Sequence, residues 1–392
     1  MKTLKDLNVE NKKVLLRCDF NVPIKDGKIE DDTRIVASLK TIKYIMEKNA
    51  KLIIFSHLGR IKEEADLAEN NLLPVAKRLG ELLGKEIIFS ETTKGKELEE
   101  KINNMNFGDI LLVQNTRFED LDGKKESEND PELASYWASL GDCFVNDAFG
   151  TLHRAHASNV GIASNMVGKS CFGFLVEEEL TALQVLDEPE RPFMVVLGGA
   201  KVEDKIGIIE NIVTKADKIL IGGGMSYTFL KASGLNIGKS LLDEENIDFC
   251  KNILSKYSDK IVLPIDNAVT NEYTEDEEYR VKDIDSMSSD EMGLDIGPKT
   301  VELFNNTLKE AKTVLWNGPL GVYEFDKYRK GTEEVLKGLV NLNNKTILGG
   351  GDVVAAASKC NLKDKIYHAC TGGGATLEYL EGKTLPGIDC IK

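Results

Sequence analysis

The chain has 392 residues, enough for two domains of ordinary size, with 42% hydrophobic and 29% charged residues, the balance of a globular protein. A formal net charge of −15 excludes the broad basic surface that nucleic acid or an anionic membrane would require, while leaving room for a small basic pocket. Seven scattered cysteines without a CxxC pair exclude a zinc framework or disulfide scaffold, and no apolar run approaches the roughly 20 residues of a membrane span.

From the N-terminus, the stretch MKTLKDLNVENKKVLL is too charged for a signal peptide, and with the unpaired cysteines it predicts a cytoplasmic protein. Short apolar runs follow: KVLLRCDF (13–20), KLIIFSHLG (51–59), EIIFSE (86–91), DILLVQNTRF (109–118) and CFVNDAFG (143–150). Each suits a strand buried on both faces, and helical patterns separate them. The clearest helix is 33–48, where Ile35, Val36, Leu39, Ile42, Ile45 and Met46 form one apolar stripe behind candidate caps at Asp31, Asp32 and Thr33. Residues 172–187, FGFLVEEELTALQVLD, read as a connecting helix that ends before Pro189 and Pro192. The second half repeats the rhythm with more glycine: FMVVLGGA, KILIGGG, KIVLPIDNAV, KTVLWNGPLG, KTILGGGD and KIYHACTGGG are predicted strands running into loops. Helices are predicted at 201–216, 225–232, 299–310, 332–342 and 353–359. The acidic, weakly patterned stretch 272–294 reads as a surface excursion. This alternation predicts an α/β fold of two doubly wound, Rossmann-like parallel-sheet domains, 1–171 and 188–375, joined by a helical hinge over 172–187.

Ligands of such sheets bind beyond the carboxyl ends of the strands. In the first half that edge collects Asp19, Asn21, Arg34, His57, Arg60, Arg117 and the loop NDAFGTLHRAHAS with His153, Arg154 and His156. Arginine forks on one edge describe an anion pocket fit for a phosphate and a carboxylate. In the second half the same edge carries GGA, GGG, NGPLG, GGGD and TGGG, glycines that admit a ligand close to the backbone and open helices whose N–H groups face phosphate. Lys201 and Lys205, four apart, are predicted on one face of the helix after LGGA, where a polyphosphate would offset their conflict with the helix dipole. GLNIGKS (234–240) has three residues between its glycines and is not a P-loop; no strand end carries GxGxxG. With no paired acid and base in view, the pattern suggests phosphoryl transfer, a reaction of positioning and charge neutralisation. A nicotinamide-dependent oxidoreductase and a non-catalytic phospho-ligand binding protein remain open as alternatives.

The motifs RCDFNVP, SHLGR, NTRFED, VNDAFGTLHRAHAS, LGGAKVEDKI, GGGMSYTFLKA, MGLDIGPKT, WNGPLGVYE, LGGGDVVAAA and TGGGATLEYLEGK, in this order across nearly the whole chain, resemble the phosphoglycerate kinase family. The resemblance implies reversible phosphoryl transfer between 1,3-bisphosphoglycerate and ADP in glycolysis and gluconeogenesis, with Mg²⁺ and with domain closure about the hinge. It implies a phosphoglycerate pocket of Asp19, Phe20, Asn21, Arg34, His57, Arg60, Arg117 and Arg154. It implies nucleotide contacts at Lys205, Gly293, Asn317, Pro319, Glu324, Gly350, Gly351, Asp352 and Val353, with Asp352 at the metal. Arg34 and Lys201, with N–H groups at Gly351 and Gly374, resemble the groups that stabilise the phosphoryl in transit. The family's C-terminal segment returns to the first domain, here 376–392, and its members are commonly monomers. Two positions depart from the family pattern: Val353 stands where a Ser or Thr is usual, and Gln114 where an acid is usual, which puts one local hydrogen bond in question.

Overall fold

The computed structural model describes all 392 residues. They divide into two compact units, Met1–Leu180 with Thr384–Lys392, and Thr181–Lys383. The boundary falls within the helix Phe174–Gln184, which occupies the predicted connector. Of the C-terminal segment, the helix Gly373–Leu380 belongs to the second unit. The last residues belong to the first, where Gly387 N–H donates to Leu152 O (2.8 Å).

Six parallel strands make the first unit's sheet: β1 (Lys13–Arg17), β2 (Lys51–Phe55), β3 (Ile88–Ser90), β4 (Ile110–Val113), β5 (Cys143–Asn146) and β6 (Ser170–Phe172), in the order β3-β4-β2-β1-β5-β6. Alternate residues face opposite layers, because side chains on a strand alternate. Leu16, Ile54, Leu112 and Val145 pack with Ile42, Ile45, Val75 and Leu79 of the helices Leu39–Glu47 and Leu73–Leu83. Leu15, Ile53, Leu111 and Phe144 pack with Leu98, Ile102 and Trp137 of the helices Lys96–Asn104 and Pro131–Ser139. Fully burying such a side chain is worth roughly 1.5–3 kcal/mol, so these two layers carry most of the unit's stability. The predicted helix 33–48 is interrupted at Ser38 into Thr33–Ala37 and Leu39–Glu47, and Val36, placed in its stripe, is exposed. Asp31 accepts from Thr33 N–H at 2.8 Å, which fixes Arg34 in the first turn.

The second sheet comprises β7 (Phe193–Leu197), β8 (Lys218–Ile221), β9 (Ile261–Val262), β13 (Thr313–Asn317), β14 (Lys345–Gly349) and β15 (His368–Ala369), all parallel, in the order β9-β8-β7-β13-β14-β15. The run KIVLPIDNAV is not one strand. Pro264 separates β9 from β10 (Asp266–Thr270), which joins β11 (Arg280–Asp283) and β12 (Met292–Ile296) in an antiparallel sheet ordered β11-β10-β12. The excursion 272–294 is therefore built into structure. A helix Ile247–Tyr257, absent from the sequence reading, joins β8 to β9. In each large sheet, connections leave two adjacent strands in opposite directions, at β1/β5 and at β7/β13; such a switch point opens a crevice at the strands' carboxyl ends.

Beyond β5, Asp147 Oδ1 accepts from the N–H groups of Leu175 (2.9 Å) and Val176 (3.3 Å) at the start of the helix Phe174–Gln184. Burial pushes this carboxyl up to about 6, so its protonated form is favoured by the fold. The stabilisation from that preference is present below the ordinary aspartate range and lost as pH rises through about 6. Asp147→Asn is expected to remove this dependence. Urea unfolding of wild type and variant, at acid and neutral pH, should show their stability difference moving by up to about 3 kcal/mol in the variant's favour as pH rises; a pH-independent difference would refute the burial effect.

Candidate active site

The crevice at β1/β5 is braced by side-chain hydrogen bonds among the loops that leave the strands. Phe20 N–H donates to Ser56 Oγ (2.8 Å), and Gly59 N–H donates to Asn21 Oδ1 (2.9 Å), tying the loops after β1 and β2. Asn115, just beyond β4, accepts from the N–H groups of Leu58 and Arg117 (both 3.1 Å) and donates to Leu58 O (2.7 Å) and Asn70 O (2.9 Å). Gln114 Oε1 accepts from Leu72 N–H at 3.0 Å. The amide oxygen at this departure thus makes a local hydrogen bond of its own.

On this frame the predicted cations converge. Arg34 Nη1 donates to both oxygens of Asp19 and to Asn21 O, each at 3.1 Å, leaving Nε and Nη2 unengaged. Arg117 is buried, with Nη1 on Gly59 O (2.7 Å) and Nε without a partner. Arg154 Nε lies 3.0 Å from His153 Nε2. His57 is buried, its Nδ1 4.0 Å from Asp19 Oδ1. Burial, then the charges of Arg17, Arg117, His156 and Arg154, hold its pKa well below the ordinary histidine value. His156 falls to about 3, through burial first and then Arg17 and the neighbouring cations. Both rings are neutral donors or acceptors near pH 7. Two predicted residues stand differently: the Phe20 ring is in the core, leaving only its backbone at the crevice, and Arg60 is exposed. Sequence reasoning missed Arg17, Glu126 and Ser158, all fully buried beneath the pocket. Arg17 lies inside RCDFNVP but reads there as a strand residue.

The crevice at β7/β13 opens into a cavity of about 480 Å³ lined by Gly199, Tyr227, Gly293, Pro319, Glu324 and Asp352 among others. Gly293 N–H donates to Ser240 Oγ (2.9 Å), and a Cβ on Gly293 would lie 1.9 Å from Tyr227 Oη. Asp295, also in the wall, accepts from Gly331 N–H (2.8 Å) and Ile296 N–H (2.9 Å), yet burial pushes its carboxyl up to about 8. Asn317 Nδ2 donates to Gly349 O at 2.6 Å, under the turn at Gly350. The helices Gly351–Lys359 and Gly373–Leu380 begin at two of the three triple-glycine loops, so N–H groups at Gly351 and Gly374 fall in first turns that lack intrahelical acceptors. Val353 is fully buried in the core, which explains an apolar side chain there and leaves only its backbone N–H for a ligand.

The helix predicted at 201–216 starts later, as a 3₁₀ turn Glu203–Lys205 followed by Ile206–Ile212. Lys201 precedes it, exposed, so the two lysines do not share a helical face. Lys205 is half-buried, and burial lowers its pKa against the pull of Asp204 and Asp352. The Asp352 carboxylate is exposed and makes no hydrogen bond or ion pair; a hard, free oxygen donor of this kind fits Mg²⁺, which takes few protein ligands when a substrate's phosphates supply others. Tyr227, Lys239 and Tyr273 also line the cavity without having been singled out. Lys239 comes from the rejected near-P-loop, and Tyr273 from the acidic excursion. No helix is long and apolar enough to cross a membrane.

The sequence matches the family model for phosphoglycerate kinase over residues 4–383. Curated relatives include the phosphoglycerate kinases of Fusobacterium nucleatum, 57% identical over 100% of this chain and 99% of the relative, and of Listeria innocua, 57% identical over 100% and 98%. The solved phosphoglycerate kinase structure from Coxiella burnetii superposes with a TM-score of 0.89 at 39% identity, covering 99% of this chain and 98% of that one. The Pyrococcus horikoshii structure gives 0.85 at 33%, covering 100% and 98%.

Gly350 has φ +105°, and a Cβ there would lie 3.0 Å from Asn317 Nδ2. Gly350→Ala is expected to strain the turn by on the order of 1–3 kcal/mol and to weaken ATP binding by about tenfold or more. Calorimetry with ATP and with 3-phosphoglycerate should show the first weakened and the second unchanged; unaltered ATP affinity would remove this loop from the nucleotide site.

Proposed function

This chain belongs to the phosphoglycerate kinase family, kinases that transfer phosphate to the carboxyl group of 3-phosphoglycerate and bind ADP and ATP, and on that premise we propose how its residues divide the work. The reading is carried by one observation: cations gather at the carboxyl edge of one sheet, and a glycine-walled cavity with helix N-termini nearby occupies the same edge of the other. Asp19, Asn21, Arg34, His57, Arg117 and Arg154 hold the phosphoglycerate, with Arg60 swinging in from solvent and Phe20 contributing backbone. Lys205, Gly293, Asn317, Pro319, Glu324 and the turn Gly350–Val353 hold the nucleotide.

The nucleophile is already an anion, a carboxylate in one direction and a β-phosphate in the other, so no base is needed. Repulsion between anions is the barrier. Arg34 offers its free Nε and Nη2, Lys201 its ammonium, and Gly351 and Gly374 their N–H groups to the equatorial oxygens of the phosphoryl in transit. Asp352 would hold Mg²⁺, which supplies further neutralisation of the nucleotide's phosphates when bound. In-line transfer between ligands carried by different units demands a closed state. We place the pivot in the connector 172–187, between domains 1–171 and 188–375, and assign closure the exclusion of water that would hydrolyse the acyl phosphate. A monomer in the cytoplasm fits this reading.

Arg34→Ala is expected to lower turnover by about 100-fold or more while the unfolding midpoint stays near that of wild type. A coupled assay of ATP formation from 1,3-bisphosphoglycerate measures the first and a thermal melt the second. Near-normal turnover would refute the role given to Arg34.

A further inference from the structure

Beneath the phosphoglycerate pocket lies a chain of buried polar groups that no ligand reaches. Arg17 and Glu126 are both 0% exposed. Arg17 Nε donates to Ser158 Oγ at 2.7 Å, and the Ser158 hydroxyl donates to Glu126 Oε1. Glu126 Oε2 also accepts from Ser158 N–H (2.9 Å), and Glu126 O accepts from Ala157 N–H (2.9 Å). Arg17 Nη1 donates to Cys18 O, and Nη2 lies 3.3 Å from His57 Nδ1.

Each direction in this chain is forced. A guanidinium only donates, so Ser158 Oγ must accept from it and pass its own proton to the carboxylate. For the same reason His57 Nδ1 must accept from Nη2. A neutral imidazole with Nδ1 as acceptor carries its proton on Nε2. Nε2 makes no hydrogen bond within the protein.

We propose that Arg17 is a positioning residue that holds His57 in the Nε2–H tautomer, so that the pocket presents a neutral N–H donor to an anionic oxygen of phosphoglycerate, with Ser158 and Glu126 fixing Arg17 in that role. The substrate contact rests on the functional reading above; the tautomer does not. Arg17, 0% exposed, presents no atom to the pocket's surface. The pocket therefore gains, besides its arginines, one donor whose direction is set from below, an N–H that an anionic oxygen can accept from where a ring lone pair would repel it. Burial and the surrounding cations keep the ring neutral.

The chain has four histidines, so long-range ¹H–¹⁵N spectra of histidine-labelled protein resolve each ring, and His57→Gln assigns this one. In the ligand-free wild type, His57 should show a pyrrole-like Nε2 and a pyridine-like Nδ1. Because removing Arg17 alone would strand the buried Glu126 carboxylate, the variant is made as the neutral pair R17M/E126Q. It should lose the pure Nε2–H pattern and raise the KM for 3-phosphoglycerate by about tenfold or more, with the KM for ATP unchanged. Should that pair fail to fold, Ser158→Ala, which frees Arg17 from its brace, should show the same loss in part. An Nδ1–H pattern in the wild type, or a pure Nε2–H pattern persisting in the variants, overturns the role of Arg17. A wild-type Nε2–H signal that stays still on saturation with 3-phosphoglycerate overturns the substrate contact alone.

Discussion

Two carbonyl oxygens govern the second unit. A Cβ on Gly198 would lie 2.0 Å from Pro319 O, and one on Gly318 would lie 2.4 Å from Gly198 O. The loops after β7 and β13 cross in direct backbone contact, and side chains at those two glycines would push them apart. Gly198 N–H donates to Asn317 O, Gly199 N–H to Pro319 O and Gly223 N–H to Leu320 O, all at 2.9 Å. These three amides are thus consumed in holding the switch point together, and the cavity opens beside their crossing. First-turn amides without intrahelical acceptors lie elsewhere, at the helix starts within GGGD and TGGG. Glycine-rich loops that look alike in sequence therefore do different work: some build a wall, others offer donors.

The first unit solves a different problem, that of concentrating positive charge in a chain of net charge −15. Isolated buried cations are costly, by several kcal/mol after relaxation. Here the deepest one, Arg17, is compensated by Glu126 through a single hydroxyl, while Arg117 is partnered by Gly59 O and Arg34 by Asp19 and Asn21 O. Arg34 shares one nitrogen among three oxygens and keeps the rest of its fork free. Arg17 and Arg34 are each offset by one carboxylate, while Arg117 makes its hydrogen bond to a backbone oxygen.

Much of this was legible. The alternation of apolar runs and helical patterns marked every strand of both large sheets except the short edge strand Ser170–Phe172, because strands buried on both faces must be apolar throughout. Strand ends then named the loops that the structure gathers at the two crevices, since an α/β sheet opens them at its switch points. What sequence pattern hid were relations across distance. Pro264 splitting an apolar run between two sheets, Tyr227 Oη filling the space of a missing Cβ at Gly293, and Glu126 meeting Arg17 through Ser158 all join residues far apart in the chain. Periodicity carries no signal of such pairings. The helix start misplaced at Lys201 has a local cause instead: Val202–Lys205 close a 3₁₀ turn first, with Lys205 N–H on Val202 O at 2.8 Å, and the regular helix waits until Ile206.

The electrostatics of the first unit also explain why its two buried histidines are poor proton carriers. A catalytic base works best with a pKa near the operating pH. His57 and His156, the two buried rings beside the arginines, are driven far below it by burial and by the neighbouring cations, so the surroundings that would favour an anion disqualify these histidines as proton carriers. For a reaction that moves a phosphoryl group between two anionic oxygens this is no loss. A proton delivered to either oxygen would weaken the nucleophile that the site exists to present. His57 and His156, neutral near pH 7, neither add charge to the pocket nor exchange protons with the reacting oxygens there.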